Sequence, residues 1–262
     1  MRTKKSLGQH FLRSERALAK IVESGEIESK DLVLEIGPGQ GVLTEKLLPL
    51  AKKVIAVEKD DELYKELEEK FKKEISLGKL KLVHGDILEF DTKDEELKKS
   101  DYKIIANIPY NITGAILKKF LSSPNQPKLM VLLVQKEVAK RITSKDKESL
   151  LSLSVKAYGT PIYIDKVLAG SFVPRPKVDS AIILIDKISK DFFKNIDEET
   201  FFSTIKAGFS SKRKKLSSNL NIIYAKEAVS DVFKKLNLDP NTRAEDVNIS
   251  IWGEIALNLY KH

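Results

Sequence analysis

The tetrapeptide Asn107-Ile108-Pro109-Tyr110 carries groups suited to holding a planar amine. An exocyclic amino group such as that of adenine is a poor nucleophile, because its lone pair is delocalised into the ring. Activating it means holding its hydrogens on acceptors that favour a tetrahedral nitrogen. The Asn107 side-chain oxygen and the Ile108 carbonyl suit that role. Pro109 lacks an N–H and keeps its predecessor out of the helical region, so no helix claims the Ile108 carbonyl. Tyr110 then offers a ring face for a base to stack on. Taken alone, the same four residues would merely end a strand and start a helix, so their surroundings must decide.

Those surroundings are informative. Val33 to Ile36 runs into Gly37-Pro38-Gly39-Gln40-Gly41, where glycines let the backbone approach a ligand with no Cβ in the way. A dinucleotide fingerprint would place its third glycine at position 42, which is Val42, so a nicotinamide cofactor is disfavoured. Glu58 follows Gly37 by 21 positions, the distance for strand, helix and strand, and its carboxylate can accept from both hydroxyls of a ribose. Asp86, after a third strand, can accept from an adenine amino group. Each has a bland reading as an ordinary turn or a solvated acid. One bound nucleoside explains all three in register. With the amine placed beside such a ligand, the chemistry expected is in-line displacement at a methyl sulfonium, driven by alignment, with no metal and no covalent intermediate. Phe172, in the proline-stiffened loop 170–180, is a candidate to close the other face of the base, or else a satellite core residue.

The elements that position these residues follow from short apolar runs alternating with helical patterns, which predict an α/β fold with a mainly parallel sheet. Seven strands are expected: 32–36, 54–57, 80–83, 103–106, 129–134, 162–168 and 180–185. Leu63, Leu67, Phe71 and Ile75 recur every four residues and predict one amphipathic surface helix. Further helices are expected at 42–50, around 112–120 and after Val134. Beyond residue 186 strand signals stop, and short helices are expected at 200–208, 212–220, 225–236 and 249–260. The domain organisation predicted is therefore 1–186, ligand-binding and catalytic, and 187–262, helical.

Composition narrows the class. The 262 residues include no cysteine, which removes disulfide frameworks and thiolate chemistry, and three scattered histidines supply no metal-ligand spacing. No metal is expected. The N-terminus lacks a signal peptide's apolar stretch, and the longest apolar run is too short to span a membrane, so a cytoplasmic location is expected. With 46 Lys+Arg against 38 Asp+Glu, the net charge of +8 favours an anionic partner. That charge is concentrated. Residues 1–20 hold six Lys/Arg and one acid, residues 203–220 hold five Lys/Arg and no acid, and the remainder sums to −2. Lys4, Lys5, Arg13, Lys212, Arg213, Lys214 and Lys215 fit contacts to the phosphates of such a partner, which the family resemblance below makes RNA.

Taken together, these residues resemble the ribosomal RNA adenine N6-dimethyltransferase family over nearly the whole chain. Ser6-Leu7-Gly8-Gln9-His10-Phe11-Leu12 looks like that family's opening motif, and the likeness assigns His10 and Leu12 to the cofactor site with Gly37, Glu58, Asp86 and Asn107, to which the glycine turn itself adds Gly39. Val134 to Arg141 and Phe172 to Ser180 match two further motifs, and Lys212 to Leu220 resembles a basic helix, with Lys212-Arg213 where an arginine pair is common. The resemblance implies a Rossmann-like S-adenosylmethionine-dependent methyltransferase domain with a small all-helical C-terminal domain. It implies S-adenosylmethionine as cofactor and S-adenosylhomocysteine as product. Four methyl groups would go to two adjacent adenosines near the 3′ end of small-subunit (16S) rRNA within an assembling 30S particle, a step of ribosome biogenesis. A monomer is expected. The alternatives are a methylase of large-subunit rRNA, of the macrolide-resistance type, and a non-catalytic RNA-binding assembly factor on the same fold.

Overall fold

The computed structural model describes residues 10–91, 97 and 102–260. They divide into two compact units, one reaching Lys140 and resuming at Thr160–Ile188, the other made of Arg141–Gly159 and the chain from Ser189 onward. The linear division expected at 186 placed 141–159 in the first unit. That stretch packs with the second instead, for the physical reason given below.

The first unit is built on a seven-stranded sheet ordered β4-β3-β2-β5-β6-β9-β7. Its strands are β2 (Leu32–Ile36), β3 (Lys53–Glu58), β4 (Leu80–His84), β5 (Tyr102–Asn107), β6 (Leu129–Gln135), β7 (Thr160–Val167) and β9 (Ser180–Asp186). All seven predicted strands are present, shifted by two residues or fewer at their ends. β2 to β6 run parallel, while β9 is antiparallel to both β6 and β7. All five residues of β2 are buried, as in a strand covered on both faces. The order reverses between β2 and β5, which opens a crevice at their carboxyl ends.

Around the sheet lie α1 (Glu15–Ser24), α2 (Val42–Leu47), α3 (Asp61–Lys70), α4 (Lys72–Ser76), α5 (Thr113–Leu121) and α6 (Lys136–Thr143). Ser14 caps α1 by accepting from the Ala17 N–H, and Ala17, Leu18 and Ile21 form its buried face. The helix expected across 63–75 is broken in two at Phe71 (φ −108°, ψ 23°). The break serves packing: the Phe71 ring lies against Gly41, where an added Cβ would stand 2.5 Å from it. Gly41 also has φ +76°, a left-handed conformation that favours glycine. Two short strands were not anticipated. β1 (Phe11–Leu12) pairs antiparallel with β8 (Phe172–Val173), with Leu12 opposite Phe172.

In the second unit α7 (Leu150–Lys156) joins α8 (Glu198–Gly208), α9 (Leu216–Leu220), α10 (Lys226–Lys235) and α11 (Ile249–Tyr260). The Lys147 ammonium pairs with Glu245 at 3.3 Å and also with Asp246. Tyr158 hydrogen-bonds Glu198 and stacks near Phe193 and Phe202. These contacts, between residues far apart in sequence, assign 141–159 to this unit. Trp252 is fully buried against Gly208, where an added Cβ would lie 2.2 Å from the indole.

Candidate active site

The crevice at the carboxyl ends of β2, β3, β4 and β5 is a cavity of about 260 Å³ whose lining includes His10, Gly37, Glu58, Asp86, Asn107 and Tyr110. Leu12, Gly39, Ile108 and Pro109 also line it. Residues from three strand ends, the glycine turn and the segment before α1 thus meet in one place, as the topology requires once the strand order reverses beside β2.

Gly37 and Gly39 have φ of +63° and +61°. A Cβ built on Gly37 meets nothing nearer than Pro109 at 4.0 Å, so it would project into the cavity, and on Gly39 it would press on the Phe11 ring at 3.1 Å. Glycine at 37 therefore keeps a cradle open that a side chain would occupy. This is the opening a nucleoside needs.

The Glu58 carboxylate, 6% exposed, accepts from the Gly39 N–H at 3.0 Å and from the Lys59 and Asp60 N–H groups at 2.9 Å. Burial pushes its pKa up, and the three N–H donors only partly offset that. Two of these bonds go to Oε1 and one to Oε2, which leaves Oε2 a lone pair for a ligand hydroxyl. Asp86 is held below the usual carboxylate range by the Lys59 ammonium at 2.7 Å and by the Leu88 N–H. It stays an ionised acceptor at the cavity edge.

Asn107 ends β5, and its Nδ2 donates to the His10 carbonyl at 3.3 Å. This bond assigns the amide: its nitrogen is occupied, and its oxygen is the group available to an amine. Pro109 adopts φ −60°, ψ 131°, and the next turn closes from the Pro109 carbonyl to the Ile112 N–H, so the Ile108 carbonyl lies outside the helical hydrogen bonding, as expected. The Tyr110 hydroxyl is 2.6 Å from Ser180 Oγ, and its ring stacks on His10 with centroids 5.8 Å apart. His10 is held in turn by Nδ1 donating to the Pro174 carbonyl at 2.8 Å.

Phe172 is placed differently from its expected role at the base. It is 2% exposed and belongs to the hydrophobic core, with the alternate residue Val173 pointing outward at 55%. The β1–β8 pairing turns it inward, and burying a phenylalanine is worth about 1.5–3 kcal/mol. Among the expected RNA contacts, Lys4 and Lys5 lie outside the described residues. Arg13 is exposed and donates to Gln40 Oε1 of the glycine turn. Lys212 to Lys215 are exposed too, but they form a turn, and the helix predicted to begin at 212 starts at Leu216.

Glu35 was not anticipated as a site residue. It is 1% exposed, lines the cavity and accepts from the Thr44 hydroxyl at 2.6 Å. Burial pushes its pKa up to about 8. The available signal was a lone carboxylate inside the apolar run Leu32–Ile36.

The model of the ribosomal RNA adenine dimethylase family matches residues 1–261. A ribosomal RNA small subunit methyltransferase A of Dehalococcoides mccartyi is 41% identical, the match covering 98% of this chain and 88% of that protein. The protein of the same name from Clostridium botulinum is 35% identical, over 98% of this chain and 94% of its own. In structure, a dimethyladenosine transferase from Plasmodium falciparum superposes with a TM-score of 0.82 at 29% identity, covering 96% of this chain and 98% of the other. The chain belongs to the ribosomal RNA adenine dimethylase family and is a methyltransferase.

Proposed function

We propose that the protein transfers methyl groups from S-adenosylmethionine to N6 of two adjacent adenosines near the 3′ end of small-subunit rRNA, in an assembling 30S particle. The carrying observation is the Asn107 amide, whose nitrogen is engaged by the His10 carbonyl in the same cavity as Gly37, Glu58 and Asp86. When bound, the cofactor supplies an electrophilic methyl group and leaves as S-adenosylhomocysteine.

The residues of the chain divide the remaining work. Gly37 and Gly39 leave room for the nucleoside, Glu58 accepts from its ribose hydroxyls, and Asp86 accepts from its adenine amino group. His10 and Leu12 wall the site. Asn107 Oδ1 and the Ile108 carbonyl hold the two amino hydrogens of the target adenine, which turns the nitrogen lone pair out of conjugation and along the line of attack. Tyr110 supports the face of the base. Such alignment can supply much of the rate enhancement by itself, on the order of 7–11 kcal/mol in well-oriented intramolecular systems. The amine's proton is lost once nitrogen carries the new bond. Arg13 and Lys212 to Lys215 meet RNA phosphates. The protein works as a monomer in the cytoplasm, and no helix among the described residues is long and apolar enough to cross a membrane.

The small-subunit assignment is supported by the relatives at 35–41% identity, which carry small-subunit names. Its test is transfer of radiolabelled methyl groups to undermethylated small subunits, large subunits and naked rRNA, followed by nucleoside analysis. Dimethyladenosine in small-subunit rRNA is expected. Label confined to large-subunit rRNA would reassign the substrate, and no label on any of the three would reduce the protein to a binding factor.

A further inference from the structure

Among the described residues three carboxyls line the reactive cavity, those of Glu35, Glu58 and Asp86. Glu58 accepts from three backbone N–H groups, and Asp86 meets the Lys59 ammonium at 2.7 Å. Glu35 has neither kind of support. It is 1% exposed, its Oε2 accepts only from the Thr44 hydroxyl of α2, and it makes no ion pair among the described residues. Oε1 bonds none of those residues, yet it is not sealed in as Asn219 Oδ1 and Asn221 Oδ1 are, and it opens on the cavity that Glu35 lines.

No neighbouring charge neutralises it. On β3 the residue beside Glu35 in register is Ala56, and the carboxylate of Glu58 repels a second negative charge. On α2, Glu45 and Lys46 are exposed and pair with Lys70 and Glu15. Lys103, near the far end of β5, pairs with Asp31. Around the cavity Lys59 is committed to Asp86, His10 Nδ1 to the Pro174 carbonyl and the Tyr110 hydroxyl to Ser180. A carboxylate withdrawn from water with one hydroxyl for company keeps its proton, and burial pushes the Glu35 pKa up to about 8.

An entering cation removes the reason for that proton. S-adenosylmethionine carries two positive charges, on its sulfonium and on its α-ammonium, and S-adenosylhomocysteine keeps only the second. We propose that Glu35 binds the positive charge of the cofactor through Oε1, holding a proton in the free protein and releasing it to solvent as the cationic ligand enters. The buried carboxylate thus forms only together with its counter-charge, at a depth where Coulomb attraction is little screened. The site then favours the cofactor over an uncharged nucleoside such as adenosine, which can use the glycine cradle and Glu58 but leaves Glu35 protonated. Binding that expels a proton tightens as pH rises, up to about pH 8, and levels off above it. This rests on S-adenosylmethionine being the cofactor, as proposed above.

The test is titration calorimetry of the full chain with S-adenosylmethionine, S-adenosylhomocysteine and adenosine at pH 7.0 in PIPES, MOPS and imidazole. The ionisation heats of these buffers differ, so the dependence of the measured heat on buffer counts the protons released. At that pH the ligand's own α-ammonium is still largely charged. S-adenosylmethionine should release about 0.5–0.9 proton from wild type, the upper value being the fraction protonated for a pKa of about 8. Adenosine should release less than about 0.1, as should S-adenosylmethionine with Glu35→Gln. Between pH 6 and 7.5 the wild-type Kd for S-adenosylmethionine should fall about tenfold further than that of Glu35→Gln. Equal release by S-adenosylhomocysteine would support the proposal with the α-ammonium as the charge felt, and release by S-adenosylmethionine alone would support it with the sulfonium. Binding of S-adenosylmethionine without a released proton would overturn the proposal alone, as would undiminished release from Glu35→Gln or equal release by adenosine. The wild-type ligand series decides even if the variant fails to fold. A wild type that binds no S-adenosylmethionine would sink the cofactor reading and the proposal together.

Discussion

The Tyr110 hydroxyl and Ser180 Oγ stand 2.6 Å apart and join the reactive loop after β5 to the first residue of β9. The bond fixes the plane in which the Tyr110 ring meets a base, and the hydroxyl is pushed towards a higher pKa by burial, so it is neutral at any working pH. Tyr110→Phe keeps the ring and should lower kcat/KM by less than about fivefold. Tyr110→Ala removes the stacking face and should cost about 1–3 kcal/mol of transition-state binding, roughly five- to 150-fold. Single-turnover methylation of small subunits by the two variants checks this. Equal losses would mean that the hydroxyl, and not the ring face, carries the function.

Asn107→Ala should abolish most transfer, by about 10²–10³-fold, the scale seen when one positioned polar partner of a reacting group is removed. Asn107→Asp keeps an acceptor but faces the His10 carbonyl with an oxygen where a donor stood, so it should be impaired as well. Thermal unfolding should shift little in either variant. Near-normal turnover by Asn107→Ala would place the amine elsewhere.

Glu35 links stability to pH. Its folded pKa of about 8 lies above the ordinary 4.5, so the folded protein binds the extra proton between those values. The sign follows: stability from the neutral carboxyl is full below about pH 4.5 and is lost as pH rises towards 8. Against Glu35→Gln, which is neutral throughout, wild type should lose about 1.4 kcal/mol per pH unit across that window. Urea unfolding at pH 5, 6, 7 and 8 measures the gap. Parallel curves would show that Glu35 is ionised in the folded state.

The basic turn before α9 is pinned from behind. Buried Asn219 donates to the Gly208 and Ser211 carbonyls at 2.6 and 2.9 Å, while the four side chains from Lys212 to Lys215 stay exposed. Replacing all four by Ala should therefore leave the helical unit folded, lower small-subunit affinity and reduce the salt slope by roughly two to four. Filter binding at several KCl concentrations reads both quantities. An unchanged slope would make the turn a solvated face and nothing more.

Much of the catalytic unit was legible because its signals are local. Runs such as Leu32–Ile36 and Leu129–Val134 are apolar enough to specify strands buried on both faces, and Gly37, Glu58, Asp86 and Asn107 sit where those strands end. What escaped depends on partners distant in sequence. The β1–β8 pairing joins residues some 160 positions apart, and nothing in Phe11-Leu12 announces it. For Phe172 the sequence leaves a place at the base and a place in the core both open, because a loop aromatic next to prolines has no local reason to turn either way; that pairing turns it inward. The break at Phe71 answers to Gly41, thirty residues earlier. Ser149 and Ser152 cap α7 reciprocally, with serine in the place usually held by Glu or Gln, so its start carried no familiar mark.

The β1–β8 ladder also sets an order of events during synthesis. The glycine turn, Glu58, Asp86 and Asn107 leave the ribosome well before Phe172 and Val173, which anchor Phe11 and Leu12 and, through Pro174, the His10 ring. Until those later residues emerge, the wall bearing His10 has nothing to close against, and the Asn107 amide lacks the carbonyl that orients it. A nascent chain that has passed Asp86 but not yet reached Pro174 thus carries every carboxylate of the pocket and still lacks the anchor of its His10 wall.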